Sequence, residues 1–142
     1  MSTGDTYAYS PRTPESNPPA MWMQPNSDRR FAYIAEHDGS IVGTAYLKPD
    51  AVGFGDHICN SGWMIAPDST GEGIGLRFAK HVIDQAREFG FLGMQFNAAV
   101  ASDARAVRLW ESMSFDIVGT VPDAFRHATD GLTATHVMYR RL

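Results

Sequence analysis

The residues best able to do chemistry lie in one run, Ile65-Ala66-Pro67-Asp68-Ser69-Thr70-Gly71-Glu72-Gly73-Ile74-Gly75-Leu76. It joins an apolar segment that reads as a strand to a periodic segment that reads as a helix. Glycine lets a backbone turn tightly and approach a ligand with no Cβ in the way. The first N–H groups of a helix lack internal partners, and the helix dipole adds partial positive charge there. Loop and helix start together form a cradle suited to phosphate. The same residues also read as a plain glycine-rich turn. Two known phosphate motifs are excluded: no Gly-Lys-Ser/Thr follows, and glycines at 71, 73 and 75 miss the GxGxxG spacing. His57 and Cys59 would start a metal pair, but no further ligand follows at a recognisable spacing, so no metal is expected.

Elements able to hold this run in place are legible on both sides. Phe31–His37 reads as a strand ending at the turn Asp38-Gly39, and Ser40–Leu47 as its hairpin partner. Lys48–Asp56 is a loop with Pro49, Gly53 and Gly55, and His57–Ile65 a third strand stopped by Ala66-Pro67. Ile74–Phe89 is the clearest helix: Ile74, Phe78, Val82, Ala86 and Phe89 recur at helical spacing, and Gly90 stops it. Phe91–Val100 is the next strand. Ser102 or Asp103 caps a second helix running to about Met113, with Ala106, Leu109, Trp110 and Met113 facing inward. Phe115–Val121 is a strand ended by Pro122, and Leu132–Leu142 contains the last strand. A strand, helix and strand in succession imply a parallel pair with a right-handed crossover. The hairpins imply antiparallel pairing elsewhere, so the expected fold is α/β with a mixed sheet.

Residues 1–30 differ from the rest. They hold five of the eight prolines, which forbids a long helix or inner strand and reads as an arm preceding a domain at 31–142. One short helix fits within it, with Asn17 as cap, Pro18 first, and Met21 and Trp22 as its packing face. The 142-residue chain suggests one domain. Twelve Lys and Arg against sixteen Asp and Glu give a net charge of −4, which argues against nucleic-acid partners. No stretch approaches the ~20 apolar residues of a membrane helix, and the N-terminus lacks a signal pattern. The single cysteine rules out an internal disulfide and fits a reducing cytosol; it reads as a small buried hydrophobe.

Pro67-Asp68-Ser69-Thr70-Gly71-Glu72-Gly73-Ile74-Gly75 resembles the acetyl-CoA loop of the GNAT (GCN5-related) N-acetyltransferases, Arg/Gln-x-x-Gly-x-Gly/Ala, with Gly73 and Gly75 matching and Thr70 replacing Arg/Gln. Asp103-Ala104-Arg105-Ala106-Val107-Arg108-Leu109-Trp110-Glu111-Ser112-Met113-Ser114-Phe115 is similar to a second block, Asn-x-x-Ala-Ile-x-Leu-Tyr-x-x-x-Gly-Phe. Val118–His127 resembles a bacterial branch of the family, and the likeness covers about 31–142. The resemblance implies a central mixed sheet whose parallel pair, His57–Ile65 and Phe91–Val100, splays to admit pantetheine. It implies acetyl transfer from acetyl-CoA to an amine of a small molecule, in the cytoplasm, without metal, nucleic acid or membrane. Backbone groups at Met64 and Ile65 would pair with pantetheine, and Thr70, Gly71, Glu72, Gly73, Ile74 and Gly75 would hold the pyrophosphate. An N–H near Met64 would polarise the acetyl carbonyl.

Several residues take candidate roles within that frame. His57 would be the base that deprotonates the amine, or a strand-end histidine touching solvent. Asn60 and Asn97 would hold a water or the substrate, or satisfy backbone at the splayed strands. Tyr46, Phe125 and Trp22 would wall the acceptor pocket or belong to the core. Arg126 and His127, in the loop between the last two strands, would line the acceptor pocket; Arg126 would bind a carboxylate or make a surface ion pair.

The departures also carry expectations. Trp110 stands where the family often has a tyrosine that protonates the departing thiolate, and indole does not titrate usefully. Asp103 replaces an asparagine that often touches the cofactor, and either serves there or only caps its helix. The family's first strand and most of its first helix are expected to be missing, leaving Phe31–His37 as a sheet edge along which a homodimer would form. The alternative reading is a non-catalytic acyl-CoA-binding or regulatory module. A third is a truncated chain that binds nothing well and survives as a dimer.

Overall fold

The computed structural model describes residues 29–71 and 73–142. The expected short helix at Asn17–Met23, the pocket residue Trp22, most of the proline-rich arm and Glu72 lie outside the described residues. Six strands form one mixed sheet in the order β1-β2-β3-β4-β6-β5. The strands are β1 (Phe31–His37), β2 (Ser40–Pro49), β3 (Ile58–Ile65), β4 (Gly93–Val100), β5 (Asp116–His127) and β6 (Gly131–Arg141). Two α-helices, α1 (Ile74–Glu88) and α2 (Ala104–Ser112), complete the described elements. The chain forms two compact units, dividing within β4 between Met94 and Gln95.

In the first unit, β1 pairs antiparallel with β2 from Phe31↔Leu47 to His37↔Ser40, and β2 with β3 from Gly43↔Ile65 to Pro49↔Cys59. Asp38 and Gly39 take positive φ in the turn between β1 and β2, as the Asp-Gly pair requires. β3 and β4 are the parallel pair, joined through α1, and they start side by side: the Leu92 N–H donates to the His57 carbonyl at 2.9 Å. One face of the sheet takes α1. Val82, Ala86, Leu47, Ala45 and Cys59 are wholly buried, Phe31 stacks on Phe89 at 4.1 Å, and Tyr33 meets His81 edge-on at 6.0 Å. The apolar stripe read from spacing is the stripe buried: Ile74, Phe78, Ala79, Val82, Ile83 and Ala86. Gly90, at φ +78°, lies just beyond the end of α1.

In the second unit, Asp103 caps α2 by accepting a hydrogen bond from the Ala106 N–H at 3.0 Å. Arg140 closes the other end, donating to the Met113 carbonyl at 2.7 Å. Trp110 packs edge-on against Phe96 at 4.9 Å, and Phe96 stacks on Phe115 at 4.4 Å. β5 differs from the expectation that Pro122 ends it. The ladder slips between Val121 and Phe125, so Pro122 falls in the irregularity where no donor is needed, and pairing resumes at Phe125↔Thr133. Arg126 and His127 therefore lie on β5 itself rather than in a loop. The His127 Nδ1 accepts from the backbone N–H groups of Thr129 (3.3 Å) and Asp130 (3.2 Å), which closes the turn into β6.

Three outcomes are expected. Asp103→Ala removes a side-chain cap and should cost about 1 kcal/mol, read as a lower urea midpoint at unchanged slope. Cys59, which donates its thiol proton to the Gly93 carbonyl at 3.3 Å, is pushed up to about 12, chiefly by burial. The native thiol keeps its proton where an unfolded one loses it, so stability should fall as pH rises from about 9 towards 12. At pH 8 an aromatic disulfide reagent should modify Cys59 only at the rate of unfolding.

Candidate functional site

The turn after β3 is built from local bonds. The Ala66 N–H donates to the Val42 carbonyl at 2.8 Å, carrying the ladder one residue past the strand. Pro67–Ser69 then forms a single 3₁₀ turn. The Thr70 hydroxyl donates to the Pro67 carbonyl at 2.9 Å and its N–H to the same oxygen at 3.3 Å. Thr70 thus secures the shape of the loop with the hydroxyl.

Beyond it the backbone takes positive φ twice, +99° at Gly71 and +72° at Gly73, and a Cβ on either would meet open space. Gly73 is the N-cap of α1, and no side chain caps the helix. The first helical bond runs from the Arg77 N–H to the Gly73 carbonyl at 3.1 Å. The N–H groups of Ile74, Gly75 and Leu76 precede that bond and have no partner within the helix. No acidic residue stands in the first turn. The Ile74 side chain is buried and pins the turn to the core, and a Cβ on Gly75 would stand 3.5 Å from the Ile65 side chain, an ordinary contact. Clustered donors, a helix dipole, no competing carboxylate in the first turn and no cap suit a pyrophosphate. Gly71, Gly73, Ile74 and Gly75 are brought together here, with Met64 and Ile65 at the end of β3; Glu72 lies outside the described residues.

The other candidate residues stand elsewhere. His57 is exposed and precedes β3, at the far end of the strand from Ile65, roughly 26 Å away at 3.3 Å per residue. Asn60 is buried at 6% exposure, and its Oδ1 accepts from the Tyr46 hydroxyl at 2.7 Å. Asn97 is exposed on β4, where its Oδ1 accepts from the Gln95 amide at 2.7 Å. Phe125 is buried in the second unit, and Arg126 is exposed beside it on β5. Asp103 serves as a helix cap, and Trp110 is half-buried against Phe96. Sequence reading named Tyr46 and Asn60 separately and missed that they bond. Two polar residues on neighbouring strands give no signal of pairing until the β2–β3 register is known. Among the described residues, no group of three or more His, Cys, Asp or Glu could hold a metal ion. No described helix is long and apolar enough to cross a membrane.

Known proteins place this arrangement in context. The family model described as Acetyltransferase (GNAT) family matches residues 5–115. A GCN5-related N-acetyltransferase from Kribbella flavida superposes with a TM-score of 0.91 at 37% identity, over 99% of this chain and 84% of that one. The N-acetyltransferase aca1 of Schizosaccharomyces pombe is 36% identical over 87 residues, 61% of this chain. The match spans 42% of that yeast protein's length. A putative acetyltransferase from Salmonella typhimurium, solved with acetyl-CoA, shares the fold at a TM-score of 0.71 and 20% identity, over 81% of this chain and 66% of that one. The resemblance read from the glycine loop and the α2 block is borne out, and the chain belongs to the GNAT acetyltransferase family.

Proposed function

We propose that this chain transfers an acetyl group from acetyl-CoA to a primary amine of a small molecule, by direct attack in a ternary complex. The observation that carries the reading is the uncapped start of α1, with its donors at Ile74, Gly75 and Leu76 and its left-handed glycines at 71 and 73. Those backbone groups would hold the pyrophosphate. Bound acetyl-CoA would supply a thioester carbonyl open to attack by a neutral amine.

Residues of this chain would then bind and orient. Backbone groups at Met64 and Ile65, next to the loop, would align the pantetheine and present an N–H to the carbonyl oxygen, stabilising charge that develops during attack. Asn60, already hydrogen-bonded, would orient groups rather than accept protons, since a carboxamide does not titrate. As the C–N bond forms and the C–S bond breaks, bulk water would take the amine's proton, and CoA would leave as its thiolate and be protonated from solvent. The net charge of −4 favours cationic amines in solution.

A second reading, a non-catalytic acyl-CoA-binding module, is favoured by one observation. Trp110 packs its indole edge-on to Phe96, where the family often carries a tyrosine acid. Turnover separates the two readings: a binder holds acetyl-CoA without releasing CoA to any amine.

A thermal-melt titration with acetyl-CoA, beside CoA and ATP, tests the cradle. At about 100 times its dissociation constant, a ligand of the native state should add about 2.7 kcal/mol. Acetyl-CoA should raise the melting temperature and ATP should not; no shift with acetyl-CoA would sink the reading. Gly73→Ala provides a second check. Since a Cβ there meets no atom, its effect is backbone strain alone, about 1–2 kcal/mol at a positive φ. It should lower the melting temperature and weaken acetyl-CoA binding at least about tenfold by misdirecting the first-turn donors.

A further inference from the structure

The β5–β6 hairpin carries a bonding pattern that the cofactor cradle does not use. Beyond the slip after Val121 its end is held by three register pairs, Phe125↔Thr133, Arg126↔Leu132 and His127↔Gly131. Phe125 is buried, but Ala128, Thr129 and Asp130, which make the turn, are exposed, and Gly131 leaves it at φ +77°. The His127 imidazole closes that turn. Its Nδ1 receives the backbone N–H groups of Thr129 at 3.3 Å and Asp130 at 3.2 Å, with only 13% of the side chain exposed. A peptide N–H can only donate, so Nδ1 must offer its lone pair. The ring in this arrangement is neutral, with its proton on Nε2.

A second set of partners already surrounds the same atom. The Asp130 Oδ2 stands 3.4 Å from Nδ1, and the Thr129 hydroxyl oxygen 3.2 Å. That hydroxyl gives its proton to Asp130 Oδ1 at 2.8 Å, so it faces Nδ1 as an acceptor. The charged group facing Nδ1 from the turn is Asp130. Along β5 the ring meets Phe125 at 6.3 Å, with Arg126 next in sequence, and its partner on β6, Gly131, has no side chain. Histidine is the side chain that ordinarily changes charge between about pH 5 and 8. Once the ring takes a second proton from solvent, Nδ1 becomes a donor. It can no longer receive the two backbone N–H groups, and the carboxylate and hydroxyl oxygens are in place to receive it. We propose that His127 is a pH-sensitive latch on the β5–β6 hairpin, closed while the imidazole is neutral and opened when it is protonated. Opening returns the Thr129 and Asp130 N–H groups to solvent and loosens the three pairs beyond the slip. The latch stands apart from the acetyl-transfer reading and does not depend on it.

The test is NMR on the full, isotopically labelled chain between about pH 8 and about pH 5. At the upper end the imidazole nitrogens should show the Nε2–H tautomer. As pH falls, the amides of Thr129 and Asp130 should lose hydrogen-exchange protection at least about tenfold, in step with protonation of His127, while those of β3 hold. Asp130→Asn removes the receiving carboxylate and should move this transition to lower pH. His127→Leu should leave both turn amides unprotected across the whole range; if it unfolds the hairpin, the titration of the unaltered chain still decides. An Nδ1–H tautomer at the upper end would overturn the proposal, as would protection that persists after the ring is protonated. So would a transition that Asp130→Asn leaves where it was.

Discussion

The start of α1 is the constraint on which the site depends. A helix must do something with its first N–H groups, and here neither a side-chain cap nor an acidic residue answers them. Gly73, at φ +72°, makes that possible by turning the backbone into the helix without a side chain that would bond back. The burial of Ile74 then holds the turn rigid, because the first helical residue is also a core residue. Electrostatic donors that are fixed before a ligand arrives cost nothing to reorganise when it binds. The parallel pair and its crossover helix are what put such a helix start at the C-terminal end of a strand, the position at which open α/β sheets receive ligands.

How much of this was legible in the sequence follows from the range of the interactions. α1 was readable nearly to the residue, because its apolar period is local and Gly90 ends it by a backbone preference. The cap of α2 was legible to within one residue, Ser102 or Asp103, and it is the Asp103 carboxylate that reaches an N–H three residues on. β5 was misread past Pro122, because a proline is compatible with a strand only if the ladder slips there, and slippage belongs to the partner strand as much as to the proline. Moving Arg126 and His127 from loop to strand is the same correction. The family resemblance rested on two short blocks and was right, since a glycine loop and an aromatic-rich helix at that separation are themselves local signatures.

The candidate side chains were less legible than the backbone cradle. Residue type alone drew attention to His57, yet the strand carries it to the end remote from the loop. Tyr46, Asn60 and Gly62 looked like a wall residue, an orienting amide and a strand glycine. Only the antiparallel register shows that they are one device, with the glycine making room for the ring and the asparagine taking its proton. A single glycine in a strand interior ordinarily weakens it; here a neighbour's ring fills the space.

The departures from the family pattern now share one explanation. Asp103 directs its carboxylate to the Ala106 N–H, so its charge is met by the start of α2. Trp110 gives its ring to an edge-on contact with Phe96. Thr70 keeps a hydroxyl only to close the turn before the cradle. Each substitution exchanges a side chain suited to touching a cofactor for one that stabilises its own element, while the backbone donors of the first turn of α1 are left intact. Under the proposed reading, cofactor binding therefore rests on main-chain geometry, which such substitutions leave in place. A protein organised in this way tolerates change along α2 far better than at Gly73 or Gly62, because a helix cap or an aromatic edge has chemical substitutes, whereas a left-handed backbone and a space already filled by a ring do not.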